Sequence, residues 1–356
     1  MGSITAKELA SMLHLSESAI SLALNDKPGV SRETRKRVLD AARENGYDFA
    51  RKALGRDQKK GTICFAVYRK SGAVVGDTPF FSELTDGISI RCRRDGYECV
   101  ISYLYEDEDL PGQIYDMRVA KYAGVIVLAT EMEEQTLSLF DVVESPLVFL
   151  DAYFERPEYN FILINNTQGA YQATRYLIRK CRTQPGYLRS SYWISNFEAR
   201  ADGFYKAIRE AGMSTSQSLV HRLPPSQEGA YADMTEILRT EKPARCYFAD
   251  NDLIAIGAIQ ALKEAGYRIP EDVSIVGFDD ISSAEYVSPP LTTVEVPKAY
   301  LGEAAVGRVV QMIEGRSLQP LKVEVFTRLI RRKSVAGSQE SIRMDNSLSN
   351  QRHFPD

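Results

Sequence analysis

Three groups of residues in this sequence have types and spacings suited to chemistry. The first is the run Ser16 to Asn25. Its Ser18, Ser21, Leu22 and Asn25 fall at i, i+3, i+4 and i+7 on one helical face, and the apolar pair Ile20 and Leu24 lies four apart on another. Small hydroxyl and amide side chains on an exposed face leave room for a partner to approach closely. The second group is Asp252, Asp279 and Asp280, carboxylates of the kind used in acid–base catalysis. No activated nucleophile, metal-ligand cluster or phosphate-binding glycine loop accompanies them, so the chain is not expected to be an enzyme. The third group is five widely spaced cysteines (Cys64, Cys92, Cys99, Cys181 and Cys246) with three histidines (His14, His221 and His353). An odd count without a C-x-x-C pair predicts a reducing, cytoplasmic setting, with neither a disulfide framework nor a metal site. No cofactor is expected.

The elements that would position the first group are short and sharply punctuated. Thr5-Ala-Lys-Glu8 has the form of a capping box, with Ile4 and Leu9 as its hydrophobic staple, and predicts a first helix whose buried face carries Leu9, Ala10 and Leu13. His14 stands where the chain must turn, in the left-handed region that histidine tolerates. Ser16 can then cap a second helix. Asn25-Asp-Lys-Pro-Gly29 ends it, and Ser31 opens a third whose Val38, Ala41 and Ala42 close a small core. This is the pattern of a helix-turn-helix unit, although an unspecialised three-helix bundle fits the same spacing. Charge favours a nucleic-acid partner: residues 1–60 carry twelve basic and eight acidic groups, an excess of +4 inside a chain of net charge -4.

With 356 residues, 44% hydrophobic and 26% charged, the chain has material for two or three domains, and no apolar run approaches the roughly 18 residues that span a bilayer. The N-terminus lacks the basic-then-apolar order of a secretory signal. From Gly61 apolar runs alternate with helical stretches. Strands are expected within 62–67, 97–102, 124–128, 146–150, 161–164, 191–194, 246–249 and 273–276. Alternation of this kind predicts an α/β fold of parallel sheets covered on both faces, with ligands collecting at the carboxyl ends of the strands. The length predicts two doubly wound sub-domains with a cleft between them. Residues 336–356, rich in Ser, Asn, Gln and Arg, read as a disordered tail.

Residues Ile4 to Tyr47 resemble the DNA-binding headpiece of the lactose-repressor (LacI/GalR) family. The similarity runs without a gap through Leu15-Ser16, Ile20-Ser21, Ala23-Leu-Asn25, Gly29-Val-Ser31, Thr34-Arg35 and Gly46-Tyr47. It continues in the body with Thr78-Pro-Phe-Phe81, Asn165-Asn-Thr-Gln-Gly169, Arg200 before Gly203-Phe204, and Asp250-Asn-Asp252 before Ala255-Ile-Gly257. Pro270 to Asp280 and Pro289-Pro-Leu-Thr-Thr293 complete it. The resemblance implies a headpiece over 1–47, a hinge over 48–60, and a periplasmic-binding-protein-like effector and dimerisation domain over 61–335.

It further implies that Ser16 to Asn25 reads operator DNA, with Thr5, Ser16, Ser21, Asn25, Ser31, Thr34 and Tyr47 near phosphates or base edges. Ser18 shares that exposed side. Glu17 either accepts from a cytosine amino group or keeps the helix off phosphate. Leu22 stands where the family usually has arginine; it cannot donate to guanine but can touch a thymine methyl. The family's Pro-Asn pair after Tyr47 is absent, leaving Leu54 or Arg56 to enter the minor groove, or the segment to serve as a flexible linker. Matching positions place Phe80, Phe81, Asp151, Asn165, Asn196, Arg200, Asn251, Asp252 and Asp279 around a polar effector, most simply a sugar. Carboxylates and amides exchange hydrogen bonds with hydroxyls, Arg200 offers a planar fork, and aromatic rings cover a ring face. The function implied is a homodimeric repressor on a pseudo-palindromic operator, controlled by that effector. A sugar- or nucleoside-binding protein without operator binding is the alternative.

Overall fold

In a computed structural model of the chain, residues 6–24, 29–45, 47, 60–76, 79–316 and 319–336 are described. The expected hinge, the tail beyond Ala336, and the site candidates Thr5, Asn25, Leu54 and Arg56 lie outside them. Two compact units result, Met1–Lys60 and Gly61–Asp356.

The first unit holds α1 (Ala6–Leu13), α2 (Glu17–Leu24) and α3 (Arg32–Glu44). Leu9, Ile20, Ala23, Val38 and Ala42 are fully or almost fully buried together, so each helix contributes its apolar stripe to one small core. The α1–α2 turn passes through His14 at φ 51°. Ser16 Oγ accepts from the Ala19 amide at 3.2 Å, and Ser31 Oγ accepts from the Thr34 amide at 3.0 Å. Both serines thus satisfy backbone donors that a helix start leaves unpaired.

The second unit has two parallel sheets. Its first lobe orders its strands β11-β5-β4-β3-β1-β2, from β1 (Thr62–Arg69), β2 (Glu98–Tyr105), β3 (Gly124–Leu128), β4 (Leu147–Leu150), β5 (Asn160–Ile164) and β11 (Lys322–Val325). Central β3, β4 and β5 are buried at every position, which is why they read as unbroken apolar runs. One face packs against α4 (Pro79–Asp95) and α11 (Lys298–Ile313). The other is covered by α5 (Leu110–Val119) and a 3₁₀ segment (Glu134–Val142).

The second lobe orders its strands β7-β6-β8-β9: β6 (Gly186–Ser190), β7 (Val220–Leu223), β8 (Cys246–Ala249) and β9 (Ser274–Val276). It is flanked by α6 (Asn166–Cys181) paired with α7 (Ser195–Glu210), and by α8 (Gln227–Thr240) paired with α9 (Asp252–Glu264), and the short α10 (Ser283–Tyr286) follows β9. Each pair closes on a glycine. A Cβ on Gly203 would stand 2.3 Å from the Thr167 carbonyl oxygen, and one on Gly257 2.3 Å from that of Gln227, so neither position admits a side chain. The chain passes between lobes three times: from β5 into α6, from β10 (Thr293–Glu295) into α11, and from β11 into β12 (Arg328–Ile330), which pairs antiparallel with β10.

One expected strand is misplaced. The aromatic run 191–194 suits a strand, but sheet pairing ends where Ser190 meets Leu223; Trp193 is 53% exposed, and Ile194 is the N-cap of α7. Strand β6 is instead the preceding Gly186–Ser190, disguised by Arg189, whose guanidinium leaves the sheet to pair with Glu198. Strands β7, β10, β11 and β12 are short and were not apparent from periodicity.

Candidate functional site

The carboxyl ends of both sheets face a common cleft lined by Phe80, Phe81, Asp151, Asn196, Arg200, Asn251 and Asp279, all singled out from the sequence. Thr130, Val74, Ile194, Phe197, Pro225, Leu253 and Ile281 complete the wall. The first lobe supplies Asp151, which follows β4 at φ 63°, and the Phe80–Phe81 edge-to-face pair, with centroids 4.9 Å apart, from the first turn of α4. The second lobe supplies Asn196 and Arg200 from the start of α7, Asn251 as the N-cap of α9, and Asp279 just beyond β9. Asp279 and Asp280, at φ 110° and 51°, take backbone conformations that L residues rarely adopt, a strain often found at binding sites. Asn196 Nδ2 joins the lobes by donating to the Asp151 carbonyl at 2.9 Å.

Arg200 is buried, and its fork is turned inward. Nε donates to Asn166 Oδ1 at 2.9 Å, Nη1 to the Asp250 carbonyl, and Nη2 lies 3.1 Å from Asp279 Oδ1. Its guanidinium also stacks 3.8 Å from the centroid of Phe278. Much of the bidentate capacity expected for an effector is therefore spent on holding Asp279 in place. Burial pushes the Asp151 carboxyl up to about 6, against the stabilising hydroxyl of Thr130 and the charge of Arg200. Burial raises Asp279 as well, with Arg200 and Lys298 pulling the other way. The cleft thus presents two carboxyl groups, one from each lobe, whose charged forms are disfavoured by burial.

Its free volume is only about 40 Å³. Small-molecule sites usually offer about 300 to 1,000 Å³. Ligand admission requires the lobes to part or the lining side chains to move.

The roof of the cleft depends on Glu131, which sequence reading passed over. Its buried carboxylate accepts five backbone N–H bonds of 2.7–3.0 Å, from Lys70, Ser71 and Gly72 to one oxygen and Val74 and Val75 to the other. Burial disfavours the charge, but the amides outweigh burial and hold the group below its ordinary range. The held loop carries Val74 into the cleft and Ser71, whose hydroxyl donates across the lobes to Tyr192 at 2.6 Å. In Glu131→Ala the amides of Ser71, Gly72, Val74 and Val75 should exchange with solvent deuterium at least about tenfold faster, with core strand β3 still protected. Unchanged protection would mean that the loop does not depend on this carboxylate. A nest of donors around one acid leaves no local sequence signal, because loop and acid are far apart in the chain.

Two site candidates lie elsewhere. Asn165 accepts from the Gln168 amide at 2.8 Å as the N-cap of α6 and borders a different groove. Asp252 is wholly buried beneath the cleft floor, accepting from the Ile281 amide at 3.0 Å and the Thr293 hydroxyl at 2.5 Å. Burial and the nearby Asp279 raise its carboxyl well above the ordinary range. It organises the loop that carries Asp279. Of the adjacent pair, Asp280 turns away and binds Arg332 at 2.7 Å. Polar residues at strand ends were recognisable from the sequence, but neighbours there alternate between facing the cleft and bracing it.

In the first unit, Ser16, Glu17, Ser18 and Ser21 are exposed on the start and outer face of α2, and Ser31 is exposed at the start of α3. Thr34 is half-buried, with its hydroxyl 2.8 Å from that of Ser31. Leu22 is also half-buried: a Cβ at Gly29 would approach its Cδ1 to 3.0 Å, so the side chain leans on the following turn. Tyr47 packs against the three-helix core, where burial raises its phenol.

Comparison with known proteins now bears on this geometry. A family model for a periplasmic binding protein-like domain matches residues 174–335. The chain is 30% identical over 335 residues to the helix-turn-helix-type transcriptional repressor PurR of Mannheimia succiniciproducens, a match that covers 93% of this chain and 98% of the relative. It is equally similar, at 30% over 335 residues, to the PurR of Pasteurella multocida, with the same coverage. Among solved structures, a complex of the transcriptional regulator CelR with cellobiose superposes with a TM-score of 0.71 at 23% identity, covering 93% of this chain and 99% of that one. A lac repressor dimer bound to operator and the anti-inducer ONPF gives 0.68 at 22%, covering 94% and 100%. Those likenesses carry the fold, with a headpiece joined to a two-lobed body, and the sequence relatives are repressors rather than enzymes. With this similarity running through both units, the chain belongs to the lactose-repressor (LacI/GalR) family of transcriptional regulators.

Proposed function

We propose that this protein is a ligand-responsive repressor of the cytoplasm, binding a pseudo-palindromic operator as a homodimer and controlled by a small polar effector, most simply a sugar. The observation that carries this reading is the convergence of Asp151, Asn196, Arg200, Asn251 and Asp279, from both lobes, on one cleft in a chain that also bears a helix-turn-helix unit. Hydroxyl donors and acceptors suit such a cleft, and Phe80 and Phe81 offer rings to a sugar face. Two proteins of similar fold hold sugars, cellobiose in one and ribose in the other. Among the described residues, no helix is long and apolar enough to cross a membrane.

On the reading side, Ser16, Ser18 and Ser21 serve phosphates or base edges, Glu17 and Leu22 tune sequence preference, and Ser31, Thr34 and Tyr47 support backbone contacts. Thr5, Asn25, Leu54 and Arg56 belong to the same proposed set. Dimerisation is supported by apolar side chains exposed on edge strand β2 (Val100, Ile101, Tyr103) and on α4 (Ile90), adjacent elements of the first lobe. An effector shifts operator affinity only by the difference in its own affinity for the two lobe arrangements. A gel-shift titration against DNA flanking its own gene should show salt-sensitive binding at least about a thousandfold tighter than to random duplex. Equal affinity for both would reject the repressor reading.

A further inference from the structure

A second groove, on the far side of Asn196 from the cleft's Arg200 and Asp279, opens where α6 and α7 meet the β11 edge of the first lobe. Its volume is about 900 Å³. It is lined by five basic side chains (Arg175, Arg179, Lys206, Lys322 and Arg331) and one acidic residue, Glu324. This concentration of positive charge stands in a body, residues 61–356, whose net charge is -8.

The cations are organised mainly on aromatic rings. Arg175 and Lys206 approach the Tyr171 ring to 5.3 and 5.2 Å of its centroid, Arg331 approaches Tyr176 to 5.5 Å, and Lys322 approaches Tyr153 to 3.7 Å. A ring face orients a cation without cancelling its charge, whereas a carboxylate partner would neutralise it. Glu324, 2.7 Å from Lys322, is the acidic residue that lines the groove, and Glu210 accepts from the Tyr171 hydroxyl beside Arg175. The first turn of α6, Asn166 to Gln168, borders the same space and presents the positive end of a 16-residue helix. Ser195 Oγ, also at its wall, is buried without a hydrogen-bond partner.

We propose that this groove is a second ligand site, for a small molecule carrying a di- or triphosphate. Such an anion matches the excess of cations, the helix N-terminus and the concave volume, and Arg175 with Lys206 would clamp its charged oxygens. The groove borders the proposed sugar cleft at Asn196, which lines both, but contains neither Arg200 nor Asp279.

The test is calorimetric titration of the full chain with inorganic tripolyphosphate at low salt. One saturable site per chain is expected. Affinity should fall at least tenfold in Arg175→Glu and in Lys206→Glu, hold within about twofold in Arg175→Lys, and be unchanged in Arg118→Glu, which reverses a charge on a different surface. Thermal midpoints of the unliganded variants, all changed at exposed positions, report whether folding is intact. Absence of saturable binding overturns the proposal, as does equal weakening by Arg118→Glu. Loss of binding in Arg37→Glu would place the anion on the basic headpiece and also overturn it. Tighter binding of a hexaglutamate peptide than of tripolyphosphate would assign the groove to an acidic protein segment instead.

Discussion

Arg200→Ala should lower the unfolding free energy of the body by about 3–5 kcal/mol, the usual cost of removing one partner from a buried ion pair. Three partners lose the guanidinium at once: the acceptors Asn166 Oδ1 and the Asp250 carbonyl, and the ion-paired carboxylate of Asp279. Phe278 loses the planar group stacked on it. Asp279 keeps the opposing charge of Lys298 but loses that of Arg200, so burial favours its protonated form still more. Arg200→Lys retains a charge but cannot reach all three partners and should recover only part of the loss. Urea denaturation followed by tryptophan fluorescence reads the effect directly, since the sole Trp193 lies in the segment leading into α7. A cost below about 1 kcal/mol would show that the guanidinium is not committed to these partners and remains available to an effector.

Acidity should stabilise the folded body. The Asp151 carboxyl rises from its ordinary 3.8 to about 6 in the folded chain, chiefly through burial. A group raised on folding contributes stability that is complete below the unfolded value and is lost as pH climbs through the folded one. The window is therefore about pH 4 to 6. Across it Asp151 alone should account for a loss of about 3 kcal/mol, at 1.36 kcal/mol for each pH unit separating folded from unfolded values. Asp250, raised to about 6 by burial despite the Tyr187 hydroxyl, titrates in the same interval. Asp151→Asn keeps an acceptor for Thr130 and removes the titration. It should reduce the slope of stability against pH between 4 and 6, leaving the Asp250 part, and should raise the midpoint at pH 7.5. A slope identical to that of the parent chain would show that burial does not hinder ionisation of Asp151.

The parts of this molecule legible in its sequence are those specified by short-range energies. Ser16 and Ser31 cap helices because a hydroxyl can reach an amide three residues on, and His14 turns left-handed because the chain must reverse within a few residues. The buried strands announce themselves through apolar runs, as at Gly124–Leu128. Strand β6, with Arg189 inside it, and the short crossover strands did not, since their pairing depends on partners far away in the chain. Family resemblance located Arg200 and Asp279, but their residue types alone suggest a ligand clamp, whereas the packed structure ties them to each other.

From the sequence alone came the buried central strands, the helix-turn-helix with its Ser16 and Ser31 caps, the division into headpiece and two-lobed body, and the polar character of the strand ends. Tertiary structure alone decided which of those polar groups share a cleft. It put Asp151 opposite Asp279, sent Asp252 beneath the floor, gave Glu131 five amides to hold, and gathered Arg175, Lys206 and Lys322 into one groove. Capping and periodicity act over a few residues and leave a local trace. Burial, desolvation and charge convergence depend on how three lobe crossings bring distant segments together, which no local window records.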